Sequence, residues 1–219
     1  MKRLGTAIIV ALNIGLIVAG ALYIISAFKP KQPQNYIEDS TLQYLTEIGR
    51  AKYESSLLSA HYADIATKEQ RVGTSRLLKA IAKAETIQCE NCIRAIRILG
   101  GSSHLPKQHS FNYTSTHRHL HSIIEQKSAL HQQHTSHLIK YTADRNNMYV
   151  ARLLTWCDAS DIHQIRFIQR ELSHFDSTLL PQPRKYYVCP RCSYICDDEF
   201  ISHLCHYCMT PFAEFIVFD

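Results

Sequence analysis

The feature that most constrains this chain lies near its end: Cys189-Pro190-Arg191-Cys192 and, after twelve intervening residues, Cys205-His206-Tyr207-Cys208. Two Cys-x-x-Cys pairs at this separation form two hairpin knuckles, each offering two thiolates. Four soft sulfur donors closing a tetrahedron suit one Zn²⁺ or iron ion, at about 2.3 Å for Zn–S. Two disulfides are the other reading, but a chain of 219 residues lacks the small secreted character of a disulfide scaffold. The metal set is therefore Cys189, Cys192, Cys205 and Cys208. Cys196 and His206 rank behind them as substitutes, because neither has the paired spacing.

Composition adds exclusions. The formal charge of +5 is modest and spread along the chain, and no basic cluster is interleaved with aromatics, so nucleic acid is not an expected partner. Thirteen histidines are many for this length. Pairs such as His117/His121 and His134/His137 have the spacing of a helix face, where solvated side chains are the ordinary outcome.

Residues 4–28 carry no charge. As a helix they span roughly 37 Å, enough to cross a hydrocarbon core of about 30 Å. A cleavable signal is the competing reading, but its apolar region is usually shorter than this run. Residues 1–28 are thus expected to be a single-pass anchor, with a bacterial inner membrane as the location and the side left open. A proline-containing linker, 29–39, follows.

From Ser40 the apolar pattern becomes helical. Ser40 with Gln43 has the form of a capping box, and Leu42, Leu45, Ile48, Leu58, Tyr62 and Ile65 recur at helical spacing. Thr74 or Ser75 is expected to cap a second helix with an inward stripe of Leu78, Ile81, Glu85, Gln88, Cys92 and Ile96. Gly100-Gly101 closes it, since glycine accepts a left-handed exit. A third helix is expected over 116–144 and a fourth over 147–175. The fourth would present Leu153, Cys157, Ser160, His163 or Gln164, and Phe167. Two short joints around one long crossover predict a ferritin-like four-helix bundle over 40–176. A linker over 177–185 leads to a small metal-binding domain over 186–219. The fold class is mainly α, with a transmembrane helix, the bundle and a β-knuckle tail.

The tail Tyr187-Val188-Cys189-Pro190-Arg191-Cys192-Ser193-Tyr194, with Cys205-His206-Tyr207-Cys208 and Phe212, resembles rubredoxin and the rubredoxin-like end of rubrerythrins. Ser193 and Met209 stand where that family usually places small residues, often glycine. The bundle resembles rubrerythrins too, through Tyr62-x-x-Ile65-Ala66, Gly73, Leu77-Leu78-Lys79-Ala80-Ile81-Ala82-Lys83-Ala84-Glu85 and, more weakly, residues 156–163. The resemblance implies a di-iron site built from a Glu on each of two helices and Glu-x-x-His on the other two. Glu85 and His163 match positions in that pattern. Gln88 and Ser160 stand where a histidine and a carboxylate are expected, Ser55 falls at the first-helix position beside Glu54, and the third-helix position falls near Glu125 or Gln126. An intact di-iron centre is therefore not expected. A lone carboxylate on an apolar stripe needs a partner, so Glu85 should bond His163, hold a remnant metal with it, or sit at the bundle edge. Cys89, Cys92 and Cys157 either form a thiol cluster or act as small core side chains.

The resemblance implies electron transfer or another redox role through a tetracysteine iron or zinc site, with the bundle's peroxide chemistry largely lost. It further implies a redox partner protein and a homodimer. A non-catalytic, zinc-stabilised structural module at the membrane is the alternative.

Overall fold

In the computed structural model, residues 39–102, 114–130, 136–175 and 183–219 are described. Helix α1 (Asp39–Lys68) and helix α2 (Val72–Ile98) form an antiparallel pair, joined by a turn in which Gln70 takes φ +59°. Helices α3 (Thr116–Leu130), α4 (Ser136–Asp144) and α5 (Met148–Ser173) complete the helical layer. The second helix is a helix because its apolar positions repeat every three or four residues. Leu78, Ile81, Glu85, Gln88, Cys92 and Ile96 are all buried, as their spacing requires.

Several expectations need correction. Among the described residues no helix is long and apolar enough to cross a membrane. The transmembrane element of the fold class and the inner-membrane location are corrected to that extent: no described helix supplies a span. The described helices are amphipathic, with charges recurring on their outer faces. The proposed anchor, 1–28, and the linker after it lie outside the described residues, apart from Asp39, which begins α1.

The expected third helix is two helices, α3 and α4, with residues 131–135 outside the described set. Ser40 lies inside α1 and shares a hydrogen bond with Tyr141 at 3.2 Å, while Gln43 donates to Glu47 at 3.0 Å, so no capping box forms. The N-cap of α2 is Arg71, with no side-chain cap. Thr74 instead donates to Glu171 at 2.9 Å, and Ser75 donates to the Ala63 carbonyl at 2.8 Å. Tertiary partners took both hydroxyls from the local role. Gly100 exits α2 at φ +79°, the left-handed conformation that favours glycine there.

The tail is a three-stranded antiparallel sheet in the order β2-β1-β3: β1 (Tyr186–Val188), β2 (Ile195–Asp197) and β3 (Ile216–Phe218). Tyr187 pairs with Cys196 on one side and Val217 on the other. A 3₁₀ turn, Phe212–Glu214, precedes β3. Strands of three residues do not stand alone. These are held because Tyr186, Val188 and Ile195 share one core with Leu77, Leu78, Ile81 and Phe167 of the helices. Polar contacts fasten the same face: Arg170 pairs with the buried Asp197 at 2.7 Å, and Asn91 donates to the Arg191 carbonyl at 2.9 Å.

One buried histidine makes this fold sensitive to acid. His119 stacks on Tyr62 with ring centroids 3.9 Å apart and is 4% exposed. Burial, helped by nearby His61, pushes its pKa from 6.5 down to about 4. The fold therefore holds it neutral, while the unfolded chain takes up the proton first. Stability is complete above about pH 6.5 and is expected to fall by up to about 3 kcal/mol as the pH drops toward 4. Urea unfolding at stepped pH reads this directly. His119→Phe should flatten that window, and an unchanged slope in the variant would assign it to another group.

Candidate metal centre and the charged interior of the bundle

The two knuckles turn at Ser193 and Met209, whose φ values are +68° and +61°. These are the two positions where the resemblance leads one to expect small residues. In the first knuckle the Ser193 N–H donates to the Cys189 carbonyl at 3.1 Å, and in the second the Met209 N–H donates to that of Cys205 at 3.1 Å. The left-handed turn costs a side chain about 1–2 kcal/mol, and at Ser193 the surroundings offset it. Its hydroxyl accepts from Gln88 Nε2 at 2.9 Å, and its carbonyl accepts from the Ser160 hydroxyl at 2.9 Å.

These turns bring the four sulfurs together. Cys189 and Cys208 Sγ lie 3.4 Å apart, as do Cys192 and Cys205 Sγ, and all four fall within 4.8 Å of one another. A tetrahedron with metal–sulfur bonds of 2.3 Å has edges of about 3.8 Å, so the spacing fits one ion. All eight cysteines are free thiols. Backbone N–H groups are aimed at the sulfurs: those of Cys192 and Arg191 at Cys189, that of Tyr194 at Cys192, and those of Tyr207 and Cys208 at Cys205. Hydrogen bonds from the Cys192 and Cys205 thiols, with those N–H groups, hold the Cys189 thiol well below its usual range despite burial. Such dipoles favour the thiolate, the form that binds metal. Cys196 is buried against this cluster but stands outside the quartet, and burial beside Asp197 pushes its thiol up to about 12. His206 is exposed and faces Tyr194, with ring centroids 6.0 Å apart.

The interior of the bundle holds a second constellation. Lys52 of α1, Glu85 of α2, Lys127 of α3 and Asp161 of α5 meet at its centre. Lys127 Nζ lies 2.6 Å from Glu85 Oε1 and 2.8 Å from Asp161 Oδ1. Lys52 Nζ lies 2.6 Å from Asp161 Oδ2 and 3.4 Å from Glu85 Oε2. The result is an alternating ring of two cations and two anions, with no net charge. Burial alone would lower the Lys52 pKa, but Asp161 and Glu85 outweigh it and hold the ammonium above its ordinary range. Burial would likewise raise Asp161, and Lys127 and Lys52 pull it down to about 2. Each charge is stable because the other three are present.

Glu85 therefore finds its partners in two lysines. His163 lies toward the tail instead, edge-on to Tyr194 with centroids 4.9 Å apart and 3.5 Å from the Tyr207 hydroxyl. Burial, then Arg166 and His206, lowers its pKa. Ser55 lines a cavity above the tetrad, Gln126 sits at that cavity's rim, and Glu54 and Glu125 are exposed. Among the described residues the knuckle quartet is the one group of three or more His, Cys, Asp or Glu side chains placed to share an ion.

Sequence reasoning missed Lys52, Lys127 and Asp161. A signal existed: Leu45, Gly49, Lys52, Ser56 and Ser59 are buried at helical spacing, so Lys52 stands in the inward stripe of α1. Lys127 continues Leu120 and Ile123 in the same way. A search for acids and histidines passes over both.

No family model matches this chain, and no curated protein matches it. Solved structures do. Nigerythrin in its fully reduced, all-ferrous state has a TM-score of 0.73, with 18% identity, over 87% of this chain and 95% of that one. Nigerythrin in a mixed-valence state gives 0.68 at 19% identity, over 81% and 86% of the two chains. The partially reduced state gives 0.69 at 18% identity, over 87% and 95%. Nigerythrin is a rubrerythrin-type protein. At such identities the likeness establishes the fold: a nigerythrin-like helical bundle with a small sheet at its carboxyl end.

Proposed function

We propose that this chain is a rubrerythrin-like, metal-binding redox protein that holds one iron ion in its knuckles and has given up the dinuclear centre of its bundle. The observation that carries this reading is the convergence of Cys189, Cys192, Cys205 and Cys208 within 4.8 Å. When bound, iron in a tetrathiolate site supplies one-electron redox chemistry. The chain's own part is to present four sulfurs at metal spacing, to aim backbone N–H groups at them, and to shield three of the four from water. An external redox protein would exchange electrons with this end.

The bundle interior does not fit two iron ions. Two such ions carry at least four positive charges and need several anionic or imidazole donors. The bundle centre offers two buried carboxylates among the described residues, Glu85 and Asp161, and both are engaged by ammonium groups, which have no lone pair to donate. Gln88 and Ser160, matching a family histidine and carboxylate, are occupied in holding Ser193. The lysines supply as fixed charge what metal cations supply in a dinuclear site.

Packing of β1 and β2 into the bundle core favours one alternative, a zinc-stabilised structural module. One preparation separates the two. Protein produced with iron is expected to show thiolate-to-iron visible absorption, bleached by dithionite, with one iron per chain. A colourless protein with one zinc overturns the redox reading, and additional iron in the bundle overturns the loss of the dinuclear centre.

A further inference from the structure

The bundle contains a thiol pair that the knuckle site does not use. Cys92 on α2 and Cys157 on α5 belong to one buried cluster and are 0% and 6% exposed. Neighbouring Cys157, together with burial, keeps the Cys92 thiol protonated. Cys157 also lines a cavity of about 360 Å³ whose floor includes Lys52 and Glu85 and whose rim includes the exposed Tyr44 and Arg50. A water molecule's share of liquid volume is about 30 Å³, so this space admits a small oxidant with room to spare. The Lys52 ammonium interacts with both thiols. Glu85 and Asp161 keep that ammonium charged.

We infer that Cys157 and Cys92 form a reversible disulfide site inside the bundle, oxidised by hydrogen peroxide entering through the cavity. The Cys157 sulfur attacks one peroxide oxygen; the S–O bond forms, the O–O bond breaks, and the departing hydroxide takes up the thiol proton as water. Cys92 sulfur then attacks the Cys157 sulfenic acid. The S–S bond forms, the S–O bond breaks, and the second hydroxide leaves as water with the Cys92 proton. Two thiols give up two electrons and one peroxide becomes two waters. Cys157 is the attacking residue because it lines the cavity, and Cys92 resolves because it lies behind. The site does not depend on which metal the knuckles hold.

The test treats metal-loaded, full-length protein with one equivalent of hydrogen peroxide, blocks free thiols, and maps peptides without reduction. The expected result is loss of two hydrogens and a peptide linking Cys92 to Cys157, reversed by a phosphine reductant, with the knuckle metal retained. Cys92→Ser should stall at a Cys157 sulfenic acid that dimedone labels, and Cys157→Ser should give neither linkage nor label. Helical circular dichroism confirms that each variant is folded. Oxidation confined to the knuckle cysteines with metal release, a Cys89–Cys92 linkage, or reduced Cys92 and Cys157 after treatment would overturn the inference.

Discussion

Lys127→Met is expected to destabilise the fold by about 3–5 kcal/mol, the usual cost of stripping a buried carboxylate of its partner. Glu85 is 0% exposed, and its shortest contact is Lys127 at 2.6 Å. Without that ammonium the interior keeps two anions against one cation. Glu85 must then take up a proton or admit water. Adding Glu85→Gln should recover most of the loss, because Lys52 and Asp161 remain as a bonded pair at 2.6 Å. Urea unfolding of the single and double variants measures both steps. If Lys127→Met loses less than about 1 kcal/mol, the ring is not the electrostatic unit described. The same ring has an acid limit. With Asp161 held at about 2, its contribution is complete above about pH 4 and is lost toward pH 2, because the unfolded carboxylate protonates first.

The larger effect is expected at the tail. Cys192→Ser, or removal of the ion by a strong chelator, should unfold residues 183–219 locally while the helices persist. Metal binding at such sites contributes on the order of 10 kcal/mol of folding free energy, and three strands of three residues each supply little without it. Amide exchange reports this: Val188 and Ile195, fully buried in the shared core, should lose protection together. Their departure uncovers Leu77 and Ile81 and leaves Gln88 and Ser160 without Ser193, so the adjoining turns of α2 and α5 should exchange faster as well. Retained protection in the metal-free protein would mean that packing on the bundle alone holds the knuckles.

How far the chain could be read without coordinates depended on the range of each interaction. The knuckles were legible because their donors sit within one turn of each other, and the resemblance to rubredoxin pointed to Ser193 and Met209 as the turn positions, which are left-handed. The helices were legible from their apolar period, as the buried stripe from Leu78 to Ile96 illustrates. Local rules failed where a distant partner competed for the same group. Ser40 bonds Tyr141 and Thr74 bonds Glu171, so neither acts as a cap.

The buried stripe of α2 and the pairing of Cys189 with Cys192 and of Cys205 with Cys208 follow from the chain alone, since both rest on near neighbours, whereas the division of the expected third helix into α3 and α4 does not. Tertiary structure decided what fills the bundle. Glu85 announced a buried charge, but its partners lie on other helices, and a small rotation of α1 or α3 would have turned Lys52 or Lys127 to solvent. Electrostatic pairing across four helices depends on that rotation, which no spacing within one helix encodes.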